Sequence, residues 1–328
     1  MWYNKAMKNR FTRPGVASHG PSLADLLAAG FGAFLRRPFV ALIPIALDMW
    51  LRYGLRIAPE PLAGWAGGWL KRGATAFGVG ADVSSIQALT SGAAQADVRQ
   101  GLVLTQQFSS LLRGSPPANP GGVHWLPADG WTLLLVVLAL NLGGLAATSA
   151  FLVPLGEAVA GRPGWGWRRV LPTAWKLARL LLLVAGLGLV LGLPLLVCIG
   201  FVANLSPLGS QIGLVGLMLA LMVFWLLASF GIEAIVVNNV SPLVALYQSY
   251  NLVRTNSQAA LLLVLASLII GQGFALLLRP LVATGWGTIA ASAIYAVLSG
   301  TLAAARMIFY RERVAHLAHS TPVALTHK

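Results

Sequence analysis

Residues 180–202 read LLLLVAGLGLVLGLPLLVCIGFV, a run of 23 positions with no charged, amide or hydroxyl side chain. At a rise of about 1.5 Å per residue, a helix of that length matches the hydrocarbon core of a bilayer, roughly 30 Å thick. A helix that is apolar on every side has to be enclosed by protein or lipid. Five further stretches approach the same standard: 38–57, 132–155, 211–232, 259–278 and 287–308. The first is the weakest, because it carries Asp48 and Arg52.

Composition agrees with this reading. Hydrophobic residues make up 57% of the 328 and charged residues 10%, against about 25% charged in an ordinary soluble domain. Too few charges remain to cover a water-facing surface, and apolar runs of this density exclude disorder. With Cys198 as the only cysteine, no intrachain disulfide forms. The expected fold is therefore an all-α integral membrane protein. It has six transmembrane helices arranged as three hairpins, with amphipathic interfacial helices. Along the chain these are a tail and interfacial helix (1–37), the first span (38–57), an outer-side insertion (58–131), the five-span bundle (132–308) and a second tail (309–328).

The flanks of the spans set the orientation. Placing both termini and the loops near 158–179 and 233–256 on one side gives that side 16 of the 23 Lys and Arg with four acids. The opposite side receives seven basic residues and five acids, a split of +12 against +2 within the net charge of +14. Because Lys and Arg mark the cytoplasmic side, both termini are expected there. The same bias explains the excess of positive charge without nucleic acid, since no long basic tract is present. The polar stretch after Lys5, Lys8, Arg10 and Arg13 does not make a cleavable leader, so the first tail is expected to be retained.

Three segments share a pattern. SLADLLAAGFGAFLRR, RRVLPTAWKLAR and SPLVALYQSYNLVR are amphipathic approaches that end at Arg36, Arg179 and Arg254 and lead into a span. Ser22 and Asp25 have the spacing of a capping box, Pro172 is tolerable in a first turn, and Ser241 and Pro242 read as a cap and first turn. Two return spans then close with GEAV at 156–159 and IEAI at 232–235, and the third with ARMI at 305–308. Arg306 thus stands where the other two units carry Glu157 and Glu233. A fixed internal period points to a repeated unit of interfacial helix plus two-span hairpin, with the segment after 58 inserted into the first unit.

These residues carry a resemblance. SLADLLAAGFGAFLRRPFVAL and IEAIVVNNVSPLVALYQSYNLVRTN resemble the six-span membrane domain fused to some glycerophosphodiester phosphodiesterases, a poorly characterised group of bacterial membrane proteins with many stand-alone relatives. The resemblance covers most of the chain except 59–130. It implies the same six-span architecture and no catalysis here, because the phosphodiesterase chemistry of such fusions belongs to a separate soluble domain.

The residues themselves offer little for catalysis. The histidines are His19, His124, His316, His319 and His327, none inside an expected span, and no carboxylate or cysteine cluster joins them. No metal, cofactor or nucleic acid is therefore expected. Ionisable groups near membrane depth are the stronger signal, since an unpaired charge there costs roughly 2.5–3.5 kcal/mol. Asp48 and Arg52, four residues apart, are expected to form an outer-side ion pair. Glu157, Glu233, Arg306, Arg36, Arg179 and Arg254 are expected to form a charge belt. At least one of the two glutamates should approach one of those arginines. The belt is either structural or a site for anionic lipid, given the excess of arginine over glutamate. Asn141 and Gln272 are expected to hydrogen-bond between helices.

Together these features favour a non-catalytic membrane scaffold or accessory subunit. It would bind membrane lipids, anionic ones included, and a protein partner through 59–130. The alternative is a transporter or permease-like component using the intramembrane charges. A membrane-embedded lipid-processing enzyme comes a distant third.

Overall fold

The computed structural model describes residues 22–54, 64–65, 67–69, 71–73, 111 and 130–320. Residues 1–21 and 321–328 and nearly all of the 58–131 insertion lie outside the described residues, as does Arg56. Every described element is a helix, and the chain is an all-α multispan membrane protein.

The helices are α1 (Leu23–Leu35), a 3₁₀ turn (Pro38–Ala41) leading into α2 (Leu42–Tyr53), α3 (Gly130–Ala160), α4 (Trp167–Leu205) and α5 (Pro207–Ala228). They continue with α6 (Gly231–Asn238), α7 (Pro242–Thr255), α8 (Ser257–Leu278), a second 3₁₀ turn (Arg279–Ala283) and α9 (Gly285–Ser320). Five segments are long and apolar enough to cross a membrane: Trp131–Ala160, Trp167–Val202, Gln211–Asn238, Ser257–Val282 and Gly285–Ala315.

The first expected span takes a different form. Pro38–Tyr53 alone falls short of the ~20 residues a span needs, and it meets α1 at a bend of 94°. Proline causes the break. The residue before a proline is driven out of the helical region, and Arg37 has φ −139° and ψ 55°. Only as one bent pair with α1 does this segment make a sixth span.

α1 itself begins with the capping box expected from its sequence: the Asp25 N–H donates to Ser22 Oγ at 3.2 Å, and the Ser22 N–H to Asp25 Oδ2 at 3.2 Å. The helix then packs along α9 in the opposite sense. A Cβ on Gly30 would lie 2.5 Å from the Thr301 carbonyl oxygen, and one on Gly300 would lie 2.4 Å from the Phe34 ring. Small residues on both helices permit that approach.

The second approach segment is not separate from its span. α4 runs unbroken through Pro172 and Pro194 for 39 residues. Pro172 is the sixth helical residue and not in the first turn as expected, so each proline removes an N–H that the helix would otherwise bond. The third approach, α7, has Pro242 in its first turn as expected, although the Ser241 side chain makes no cap. A break at Asn256 separates α7 from α8. A second break, between α5 and α6, is bridged by a side chain of α7. The Phe230 N–H donates to Ser249 Oγ at 3.1 Å, and the Ser249 hydroxyl donates to the Leu227 carbonyl at 2.5 Å.

The main core gathers at one end of the bundle. It joins Phe34 of α1, Phe151 and Leu155 of α3, Leu177 and Leu180 of α4, Ile235 of α6, Leu252 of α7 and Tyr310 of α9. A smaller cluster at the opposite end joins Leu111, Leu278, Val282, Ala291 and Tyr295. Beyond the main core α4 and α5 pack chiefly on each other, where Ile199 and Val202 meet the glycines Gly213 and Gly209. At 39 residues, α4 is about 58 Å long and exceeds the hydrocarbon thickness by roughly 28 Å.

Candidate functional site: a charged clasp at one end of the bundle

The turn from α3 to α4 sets the geometry. α3 ends in a Schellman arrangement: the Gly161 N–H donates to the Ala158 carbonyl at 3.2 Å and the Arg162 N–H to the Glu157 carbonyl at 2.9 Å. Gly161 takes φ +70°, a conformation that glycine adopts without a Cβ penalty. Gly166 follows at φ +64°, and a Cβ there would stand 3.1 Å from Glu157 Cγ. This tight return brings the first turn of α4 against the last turns of α3.

Glu157, 5% exposed, is thereby paired with Arg169 of α4. Arg162 Nη1 approaches the same carboxylate oxygen at 3.5 Å from a largely exposed position. Arg169 also reaches α6, where its Nη2 donates to the Val236 carbonyl at 3.1 Å. One guanidinium therefore ties three helices together.

Glu233, also 5% exposed, meets Arg306 of α9, with Nε 2.7 Å from Oε1. The Nε–H is not aligned on that oxygen and makes no hydrogen bond, so the contact is one of charge. The hydrogen bond comes from Nη2 of Arg306, which donates to the Ser229 carbonyl at 2.5 Å. The same guanidinium lies 5.4 Å from the Phe230 ring centroid. Beside it Tyr310 forms a second link: the Asn238 amide donates to its oxygen at 3.0 Å, and its hydroxyl donates to Gln248 Oε1 at 2.6 Å.

The remaining cations at this end mostly serve helix ends. A helix C-terminus carries unsatisfied carbonyls and partial negative charge, which a basic side chain stabilises. At the end of α3, Arg36 Nη1 donates to the Ala158 carbonyl at 3.2 Å and Arg311 donates to the Val159 carbonyl. At the end of α6, Lys176 donates to the Asn239 carbonyl at 2.7 Å and to its side-chain oxygen at 2.8 Å. Arg37 donates to the Gly164 carbonyl at 2.7 Å and lies 4.9 Å from the Trp165 ring centroid. Trp165 in turn stacks on Trp167.

Of the six residues singled out from the sequence, Glu233 and Arg306 are in direct contact, and Glu157 and Arg36 both serve the end of α3. Arg179 and Arg254 face outward. Sequence reasoning missed Arg169, Arg311 and Lys176. For Arg169 a signal existed, since a glycine-rich turn between two helices folds Glu157 back towards the first turn of α4. Arg311 and Lys176 bond to carbonyls and leave no trace in side-chain spacing.

On α2, Asp48 is 1% exposed and the Arg52 guanidinium lies 5.8 Å from the Tyr53 ring centroid. Among the described residues Asn141 bonds only within its own helix. Its amide donates at 2.7 Å to the Val137 carbonyl of its own helix, the nearest acceptor one turn back. Among the described residues, no three His, Cys, Asp or Glu side chains gather as a metal would require.

Fold and clasp together define a helical multispan membrane protein knotted by charge at one end. No family model matches the chain, and none of the curated proteins or solved structures does.

Proposed function

We propose that this chain is a non-catalytic scaffold or accessory subunit of a bacterial inner membrane, binding lipid and a protein partner. The observation that carries the reading is the α4–α5 hairpin. In the most apolar 18-residue windows of these two spans only 6% of positions are buried, against 61% in α9. Val190, Val197 and Met218 are each exposed by about 70%. Apolar surface of that extent is covered by lipid or by another transmembrane helix. At the basic end, by contrast, most of the charge is committed to ion pairs and helix caps, as befits a fixed frame. The resemblance to the membrane domain of phosphodiesterase fusions fits the same role, as does a basic end in the cytoplasm.

The test is purification from native membranes with wild-type protein and with Val190→Trp and Val197→Trp. Both side chains are exposed, so the larger ring leaves the chain's own packing intact. A partner retained by the wild type in fixed stoichiometry and lost from the tryptophan variants supports the scaffold. Retention of no partner by the wild type contradicts it.

A permease-like role is the second reading, favoured by one observation: the enclosed Oε2 of Glu233 accepts no hydrogen bond. It requires Glu233→Gln to abolish a flux while the protein stays folded.

A further inference from the structure

Two arginines at the basic end stand apart from the clasp. Arg179 and Arg254 are exposed. Among the described residues Arg254 has no hydrogen bond or ion pair, and Arg179 has one contact, its guanidinium 5.0 Å from the Trp175 ring centroid. Both occupy the same place in their units. Each is the last basic residue before an apolar span, Leu180 onward in α4 and Ser257 onward in α8. Each also has an aromatic residue four positions earlier, on the same helical face. These are Trp175, 55% exposed, and Tyr250, 43% exposed. The exposed face continues outward from the span through Leu171 and Trp167 in α4, and through Tyr247 and Leu243 in α7.

An outward-facing ring and guanidinium, one turn apart at the edge of a hydrocarbon-length run, match the layering of a bilayer. Tryptophan and tyrosine settle at headgroup level, and an arginine there meets the phosphate plane. A ring beneath one face of a guanidinium leaves its N–H edge for phosphate oxygens. The first approach segment shows the contrast. Its arginine, Arg36, follows Gly32 by four positions, carries no such aromatic, and donates to the Ala158 carbonyl.

We propose that Trp175 with Arg179, and Tyr250 with Arg254, form two matched seats for anionic phospholipid headgroups in the leaflet at the basic end. Charge selects the class of lipid. Among the described residues that end carries Arg36, Arg37, Arg162, Arg168, Arg169, Lys176, Arg179, Arg254, Arg306, Arg311 and Arg313, against Asp25, Glu157, Glu233 and Glu312. Both buried acids, Glu157 and Glu233, are already paired. This inference rests on the lipid-binding half of the scaffold reading.

The test uses the purified full chain in detergent, titrated with dioleoylphosphatidylglycerol or dioleoylphosphatidylcholine and read by native mass spectrometry. The wild type binds phosphatidylglycerol several-fold more tightly. A basic residue near an anionic surface contributes on the order of 1 kcal/mol, or about fivefold. Arg179→Gln and Arg254→Gln each weaken their own seat by about that factor, so the overall constant for two bound phosphatidylglycerols falls about fivefold in each single variant and about 25-fold in the double variant if the seats are independent. Phosphatidylcholine binding and thermal stability stay unchanged, since neither side chain hydrogen-bonds or ion-pairs with any described residue. Arg279→Gln, an exposed arginine at the opposite end, is the control. Equal binding of the two lipids by the wild type overturns the inference, as does full retention by the double variant or an equal loss in Arg279→Gln. A partner captured through α4–α5 without lipid selectivity overturns the seats alone. Selectivity without a partner overturns the scaffold alone.

Discussion

Removing either member of the Glu233–Arg306 pair should have unequal consequences. In Glu233→Gln the surviving Arg306 keeps its bond to the Ser229 carbonyl and its place against Phe230, and its side chain is 20% exposed. The stranded cation is thus partly compensated, and the loss should be about 1–3 kcal/mol, below the 3–5 of a fully buried pair. In Arg306→Met the survivor is a carboxylate 7% exposed whose Oε2 has no hydrogen-bond partner. The Ser229 carbonyl also loses its donor. That variant should lie in the upper range, about 3–5 kcal/mol. The double variant removes both charges, so it should recover at least 1 kcal/mol of the summed single losses. Equilibrium unfolding of all four proteins by sodium dodecyl sulfate in mixed micelles gives the cycle directly. Equal single losses with no coupling would refute the claim that this pair, and not general burial, holds α6 to α9.

Gly156 lies where α3 meets α6, and a Cβ there would stand 2.6 Å from Val236 Cγ1. Gly156→Val should cost about 1–3 kcal/mol through that overlap and loosen the Arg169 bond to Val236, whereas Gly143→Ala, with nothing within 4 Å, should not destabilise in the same unfolding assay. Tyr310→Phe leaves Asn238 and Gln248 without their shared partner, a loss of about 1–3 kcal/mol. That effect should vanish when Gln248→Leu and Asn238→Leu are already present.

The sequence declared what depends on local chemistry. The uncharged run in α4, the capping box at Ser22 and the approach of a belt glutamate to a belt arginine, Glu233 to Arg306, are all legible from spacing and charge. What it withheld depends on where the chain returns. Pro38 was visible, but as the start of a straight span. Its effect on Arg37 turned that span into a bent pair, and the destination of α1 against α9 rests on Gly30 and Gly300 meeting in space. Sequence left each arginine of the belt open to an ion pair or to anionic lipid, whereas Arg36 and Arg306 donate to carbonyls. A helix end becomes an acceptor only once the fold presents it, so such bonds have no sequence signature.

The orientation of the charged clasp bears on every reading above and can be measured by cysteine accessibility. In a Cys198→Ala background, single cysteines replace Pro163, exposed in the α3–α4 turn at the basic end, and Gly285, exposed at the opposite end with open space around it. A membrane-impermeant maleimide is applied to intact spheroplasts. The account predicts labelling at position 285 in intact spheroplasts, and at position 163 only after permeabilisation. Labelling at 163 from outside would place the clasp and both arginine seats in the wrong leaflet and contradict the account.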